Sequence, residues 1–192
     1  MKTINKYLPL LLLCTFFTLA SCSKKEKDSK EMAEDQNEKK FNDSEIENDT
    51  EFAVAAADGG MLEVELGKLA QANASSEQTK MFGEMMVSDH SKANEELKTL
   101  ATQKNISLPT ELSDKNRKTY NDLAEKTGKD FDDAYTDFMV KDHKKDIDKF
   151  KKEAENGEDQ DLKSWAAGKI STLEHHLEMA KQAEAAADSL KH

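Results

Sequence analysis

Four long segments of this chain carry apolar residues at intervals of three or four positions, and this spacing constrains the fold more than any other feature. Such a spacing places the apolar side chains along one face of an α-helix. The chain of 192 residues also contains only 7 Gly and 2 Pro, too few for the regular turns of a β-sandwich or barrel. We therefore predict an all-α protein whose helices bury their apolar faces against one another.

Short breaks that contain helix-capping and turn residues separate the helical segments. The sequence S-S-E-Q at residues 75–78 is typical of a capping box, and N-G at residues 156–157 predicts a turn. Long helices are predicted at residues 49–73, 75–104, 131–155 and 159–187, and a shorter one at residues 113–126. Because most connections are short, we expect an antiparallel up-down-up-down four-helix bundle, with a short extra helix between its second and third helices.

The first residues follow the order of a bacterial lipoprotein signal. A basic start precedes an apolar segment at residues 8–19, which is shorter than the ~20 residues of a membrane-spanning helix. The sequence L-A-S-C at residues 19–22 then resembles a lipobox, whose cysteine receives a diacylglycerol before cleavage. We predict a signal peptide at residues 1–21 and a lipid anchor on Cys22 in the bacterial envelope, at the outer membrane facing the periplasm. An ordinary signal peptide that contains a cysteine is the alternative.

Charged residues dominate the segment that follows the lipobox. Residues 23–48 hold 6 Lys and 9 Asp or Glu against four apolar residues, so the segment has little surface to bury. We expect a disordered tether at residues 22–48 and a folded domain at residues 49–188. The formal net charge of -11 argues against a nucleic-acid partner. The expected partner is the membrane, through the lipid anchor on Cys22.

One polar residue interrupts the apolar face of each predicted long helix. These residues are Glu63, His90, His143 and His176. His175 is rotated from His176 by about 100° and should face solvent. Counted from the turns that join the helices, all four residues lie near the middle of their helices. We therefore expect three imidazoles and one carboxylate in one central layer.

The predicted layer has two interpretations. Imidazole and carboxylate groups suit a transition metal such as zinc, iron or copper. Alternatively, the protein is a structural or interaction module, and a buried hydrogen-bond network of the same side chains only fixes the register of the helices. No catalytic motif is readable, so we do not expect an enzyme.

An internal repeat supports a common layer. Residues 86–92 and 139–145 match at five of seven positions, and both segments contain Asp-His. Asp89 and Asp142 are therefore candidates to orient an imidazole, and Tyr135 is a candidate to cap the network. Both aspartates could instead be solvated charges on a helix face.

Several segments together resemble the bacterial DUF4142 family. The segments are 59–70 (GGMLEVELGKLA), 86–90 (MVSDH) and 131–132 (FD), followed in order by Tyr135, His143, 172–173 (TL) and 176–177 (HL). The match covers about residues 50–183. The resemblance implies a ferritin-like four-helix bundle in the bacterial envelope and does not imply an activity.

A ferritin-type di-iron site is not expected, because it needs Glu-x-x-His on two helices. The residues three positions before the histidines are Val87, Val140 and Leu173. The motif is therefore absent.

Overall fold

The computed structural model describes residues 26–189, and the regular structure in this range is entirely helical. The helices are α1 (Ser29–Phe41), α2 (Glu47–Asn73), α3 (Glu77–Gln103), α4 (Asp114–Ala124), α5 (Gly128–Asn156) and α6 (Gln160–Ser189). The prediction of an all-α protein is confirmed. The predicted signal peptide and Cys22 lie outside the described residues. Within residues 26–189, no helix combines the length and the apolar character needed to cross a membrane.

The helix ends follow the local capping signals closely. Ser76 caps α3 by accepting a hydrogen bond from the backbone N–H of Thr79, so the cap lies one residue later than the capping box predicted at residues 75–78, whose reciprocal pair is not formed. Ser113 caps α4 in the same way. Gly128 is the first residue of α5, with a φ of 59° that glycine adopts without strain.

The long helices α3 and α6 pack against each other in opposite directions. Lys104, at the end of α3, contacts Asp161 at the start of α6, with 2.8 Å between Nζ and Oδ2. Asp89, nearer the middle of α3, contacts His176 further along α6. The helix pairs α2–α3 and α5–α6 also pack along each other, and α2 contacts α5.

The predicted up-down-up-down order is wrong, because α5 runs in the same direction as α3. Asp132, near the start of α5, accepts hydrogen bonds from the backbone N–H groups of Ser75 and Ser76, where α3 begins. The helices α2, α3, α5 and α6 therefore run up, down, down and up, in that order. The physical reason is the connection at residues 104–127, which includes α4 and returns along the length of the helices before α5 begins.

The predicted disordered tether is also wrong over residues 29–41, which form α1. Asn37 is 2% exposed, and its side chain both donates to and accepts from the backbone of Ser107, at 2.8 and 2.7 Å. Lys40 donates to the backbone oxygen of Asn105 at 2.9 Å. The prediction failed because it counted apolar surface alone, whereas polar contacts to the loop after α3 hold this helix in place.

Two aromatic clusters flank the middle of the long helices. One contains Phe82, Phe131 and Tyr135, with Phe131 and Tyr135 stacked at 5.4 Å between ring centroids. The other contains Phe52, Phe150 and Trp165, with Phe52 and Phe150 at 5.0 Å. His143 on α5 lies between the two clusters, with Phe131 and Tyr135 before it and Phe150 after it.

The close crossing of α2 and α3 depends on two glycines. A Cβ on Gly83 would lie 2.6 Å from the Cβ of Ala70 and 2.7 Å from the backbone oxygen of Gly67. We expect Gly83→Ala to lower the free energy of unfolding by about 2 kcal/mol, because the helices must separate. In α6, a Cβ on Gly168 meets nothing within 4 Å, so Gly168→Ala should raise the same free energy by about 0.5–1 kcal/mol. Denaturant unfolding measures both, and equal effects would contradict this account of the crossing.

Candidate metal centre

The structure brings together the four polar residues that the apolar faces singled out. Glu63 comes from α2, His90 from α3, His143 from α5 and His176 from α6. The exposed fractions of the three histidines are 7%, 0% and 1%, and that of Glu63 is 2%. The imidazole ring centroids lie 5.2–5.9 Å apart. His175 is exposed, as predicted.

Each imidazole of the layer has one ring nitrogen committed to an acceptor. The pairs are His90 Nδ1 with Glu63 Oε2 at 2.9 Å, His143 Nδ1 with the backbone oxygen of Met139 at 3.0 Å, and His176 Nε2 with Asp89 Oδ2 at 2.9 Å. A carbonyl oxygen only accepts hydrogen bonds, so Nδ1 of His143 carries the proton. The carboxylates favour the same role for the nitrogens they face in the other two rings.

The second nitrogen of each ring is buried and has no hydrogen-bond partner among the described residues. These atoms are Nε2 of His90, Nε2 of His143 and Nδ1 of His176. In a neutral ring the second nitrogen is the unprotonated one once its neighbour donates. The three imidazoles can offer ligand atoms that all lie within 4.8 Å of one another.

Burial keeps the imidazoles neutral. Desolvation lowers the pKa of both His90 and His176 to about 4, against a contribution from nearby aspartates that raises it. Desolvation also lowers the pKa of His143, although Glu63 raises it. At neutral pH the three rings are therefore in the uncharged form that binds metal ions.

Glu63 is central to the layer. Its Oε2 accepts from His90, while its Oε1 lies 3.5 Å from Nε2 of His143 and has no hydrogen-bond partner among the described residues. Desolvation raises the pKa of Glu63 to about 8, and the neighbouring His143 opposes this shift. The free oxygen is therefore placed to act as a fourth ligand, beside the three nitrogens.

Of the three residues predicted to support the layer, only Asp89 makes a hydrogen bond to one of its imidazoles. Asp89 orients His176, as expected. Asp142 makes no hydrogen bond to an imidazole among the described residues, because Nδ1 of His143 bonds instead to the backbone one turn earlier. The hydroxyl of Tyr135 is buried without a hydrogen-bond partner in the described part of the chain, so the expected cap on the network is not formed.

The sequence reasoning missed Asp146 and Lys149. Asp146 is 8% exposed, and its Oδ1 accepts from Nζ of Lys149 at 2.7 Å. Carboxylate oxygens of Glu63, Asp142 and Asp146 also lie within 4.8 Å of one another. The available signal was the spacing of three residues from His143 and four from Asp142, which puts Asp146 on the same side of α5.

A cavity of about 150 Å³ opens beside the layer between α3 and α6. It is lined by Asp89, His90, Lys92, Ala93, Phe150, Lys169, Thr172, Leu173 and His176. A larger cavity of about 980 Å³ lies between α2, α3 and the segment 106–112, and none of the four layer residues lines it. The small cavity therefore offers the route by which an ion can reach the imidazoles.

Over the described residues, this protein is all-helical. Its long helices enclose a buried layer of three histidines and one glutamate. The family model DUF4142, described as a domain of unknown function, matches residues 30–183, so the chain belongs to the DUF4142 family. The match begins within α1, which agrees with the ordered position of that helix. No curated protein and no solved structure matches the chain.

Proposed function

We propose that this protein binds a transition-metal ion at the imidazoles of His90, His143 and His176, with Glu63 as the fourth ligand. The observation that carries the proposal is that three neighbouring buried imidazoles each keep one ring nitrogen without a hydrogen-bond partner among the described residues, and that the three rings offer ligand atoms within 4.8 Å of one another. Each ring is already oriented through its other nitrogen by a carboxylate or a carbonyl group. Metal-binding histidines in proteins are oriented in this way.

One measured distance in the layer matches the spacing of ligands around a single ion. Four ligands at about 2.0–2.1 Å from a tetrahedral ion lie about 3.3 Å from one another. The distance of 3.5 Å between Oε1 of Glu63 and Nε2 of His143 is close to this value. Three nitrogens and one carboxylate favour zinc, iron or copper over calcium or magnesium, which prefer oxygen ligands.

A purely structural network is the weaker candidate. Such a network fixes helix register best when all of its polar atoms are paired. Here three ring nitrogens and one carboxylate oxygen are buried without hydrogen-bond partners in the described chain. An unpaired buried polar atom costs about 1–3 kcal/mol, so this layer would destabilise a protein that used it only as a scaffold.

The proposal includes a ferritin-like arrangement and a place in the bacterial envelope. The up, down, down, up order with one long connection supports the first part, because ferritin-like folds contain one long crossover.

The lipobox at residues 19–22 supports anchoring through Cys22. Six residues separate Cys22 from the start of α1, so the anchor would hold the helices near the lipid surface. Mass spectrometry for a diacylglycerol on Cys22 tests the anchor.

Metal analysis of the full chain, purified in detergent without a polyhistidine tag, tests the function. The chelator-treated protein is incubated in turn with Zn²⁺, Fe²⁺, Cu²⁺ and Co²⁺ and then desalted. We expect at least one ion per chain to remain for one or more of these metals. Co²⁺ should also show the intense visible absorption of a four-coordinate site. Retention of none of the four metals would refute the proposal.

A further inference from the structure

A second group of possible ligands lies directly beside the imidazoles. Carboxylate oxygens of Glu63, Asp142 and Asp146 lie within 4.8 Å of one another. Asp142 and Asp146 come from adjacent turns of α5, and Glu63 faces them from α2. Glu63 therefore belongs to two groups, the imidazole layer and this group of carboxylates.

The free oxygen of Glu63 is an independent sign of a missing partner. Glu63 is 2% exposed, and its Oε1 has no hydrogen-bond partner among the described residues. An unpaired carboxylate oxygen is costly at this degree of burial. One carboxylate oxygen of Glu63 also lies within 4.8 Å of carboxylate oxygens of Asp142 and Asp146, so the Glu63 carboxylate is close enough to both groups to serve two ions.

Two lysines face these three carboxylates. Nζ of Lys149 donates to Oδ1 of Asp146 at 2.7 Å, and its charge also acts on Glu63 and Asp142, while Lys145 acts on Asp142 through its charge. Three carboxylates this close are stable together only with protons or with a further cation.

We propose that a second divalent cation binds to Glu63, Asp142 and Asp146, and that Glu63 bridges it to the ion held by the imidazoles. This inference rests on the proposed function, because Glu63 serves both ions. Oxygen ligands favour a hard cation such as Mn²⁺ or Mg²⁺ at this position, while the imidazoles favour zinc, iron or copper. The two ions would lie about 3.5–4 Å apart, as in other two-metal sites.

Sequential metal loading of the full chain tests the second site. The metal-free protein receives one equivalent of Co²⁺ and is then titrated with Mn²⁺, whose free concentration is followed by electron paramagnetic resonance. We expect one Co²⁺ and one Mn²⁺ per chain, with loss of the free Mn²⁺ signal until one equivalent is bound. A wild-type chain that binds Co²⁺ and no Mn²⁺ would overturn this inference and leave the proposed function standing. A chain that binds neither ion would overturn both.

Two conservative variants assign the second site to its residues. Asp142→Asn and Asp146→Asn keep the side-chain volume, and each should reduce the bound metal from two ions to one while the Co²⁺ absorption is unchanged. Asp148→Asn is the matched control, because Asp148 is exposed on the same helix, and it should keep two ions. Tight Mn²⁺ binding that survives in both test variants would refute the assignment. Thermal melts of the metal-free variants confirm that each one folds.

Discussion

His176→Ala is expected to weaken the binding of the imidazole-held ion more than 100-fold, whereas His175→Ala should leave it unchanged. The two histidines are adjacent on α6, but His176 is 1% exposed and His175 is on the surface. Changing the residue that only orients a metal ligand typically costs about 10–100-fold in affinity, so losing a ligand should cost more. Competition with a chromophoric chelator measures both affinities under identical conditions.

The same pair of variants separates metal binding from packing. A ligand present at 1,000 times its dissociation constant stabilises the folded state by about 4 kcal/mol, which corresponds to roughly 10 °C in melting temperature for a chain of this size. Wild type and His175→Ala should show this increase on metal addition, and His176→Ala should not. Melts of all three metal-free proteins provide the baseline. Equal responses from the two variants would contradict the role assigned to His176.

The helical period was sufficient to predict which side chains meet. Burial on a helix repeats every 3.6 residues, so the apolar neighbours of His90, His143 and His176 already indicate that these rings point inward. Their common level followed from counting residues to the turns at each end of the helices. Both inferences use local geometry alone, and both agree with the structure.

The helix order depends on contacts that no local pattern contains. The connection at residues 104–127 brings the start of α5 beside the start of α3, where Asp132 accepts hydrogen bonds from the backbone of Ser75 and Ser76, 57 and 56 positions away in the chain. The packing of α1 depends in the same way on Asn37 and Ser107. From the sequence, a polar side chain is interpreted as facing solvent unless its distant partner is known. The sequence alone therefore could not identify these contacts.

The partner of an imidazole depends on its side-chain rotamer. Asp142 precedes His143 just as Asp89 precedes His90, which suggested equivalent roles for the two aspartates. In the structure, His143 instead bonds to a backbone oxygen on its own helix, and Asp89 bonds to His176 on a different helix. The repeat thus predicted the position of the layer but not the partners of its rings.

Glu63→Gln is expected to stabilise the metal-free protein while weakening its affinity for metal. Glutamine has nearly the same shape, and its carbonyl oxygen can accept from His90 as Oε2 does at 2.9 Å in the wild type. Its amide N–H can donate to Nε2 of His143, which lies 3.5 Å from Oε1 and has no hydrogen-bond partner in the described chain. The glutamine amide and Nε2 of His143 would therefore pair with each other. The same hydrogen bond would occupy the lone pair on Nε2 that the metal ion needs.

The gain in stability should depend on pH in a defined direction. The pKa of Glu63 is raised from 4.5 to about 8 in the folded state, so ionisation of this group opposes folding increasingly as pH rises from 4.5 to 8. Glutamine carries no charge, and the advantage of the variant should therefore be small near pH 4.5 and reach about 1–3 kcal/mol at pH 8. Denaturant unfolding of the metal-free protein at both pH values measures the difference.

Glu65→Gln supplies the matched control for Glu63→Gln. Glu65 lies on the same helix with 40% of its side chain exposed, and it pairs with Lys68 at 2.7 Å. An exposed ion pair contributes little, so this variant should change stability by less than about 0.5 kcal/mol and leave metal affinity unchanged. If Glu63→Gln instead destabilises the metal-free protein, the carboxylate stabilises the fold and the layer is structural. A gain in stability with a loss of metal affinity would mean that Glu63 opposes folding of the metal-free chain and becomes favourable only beside a cation.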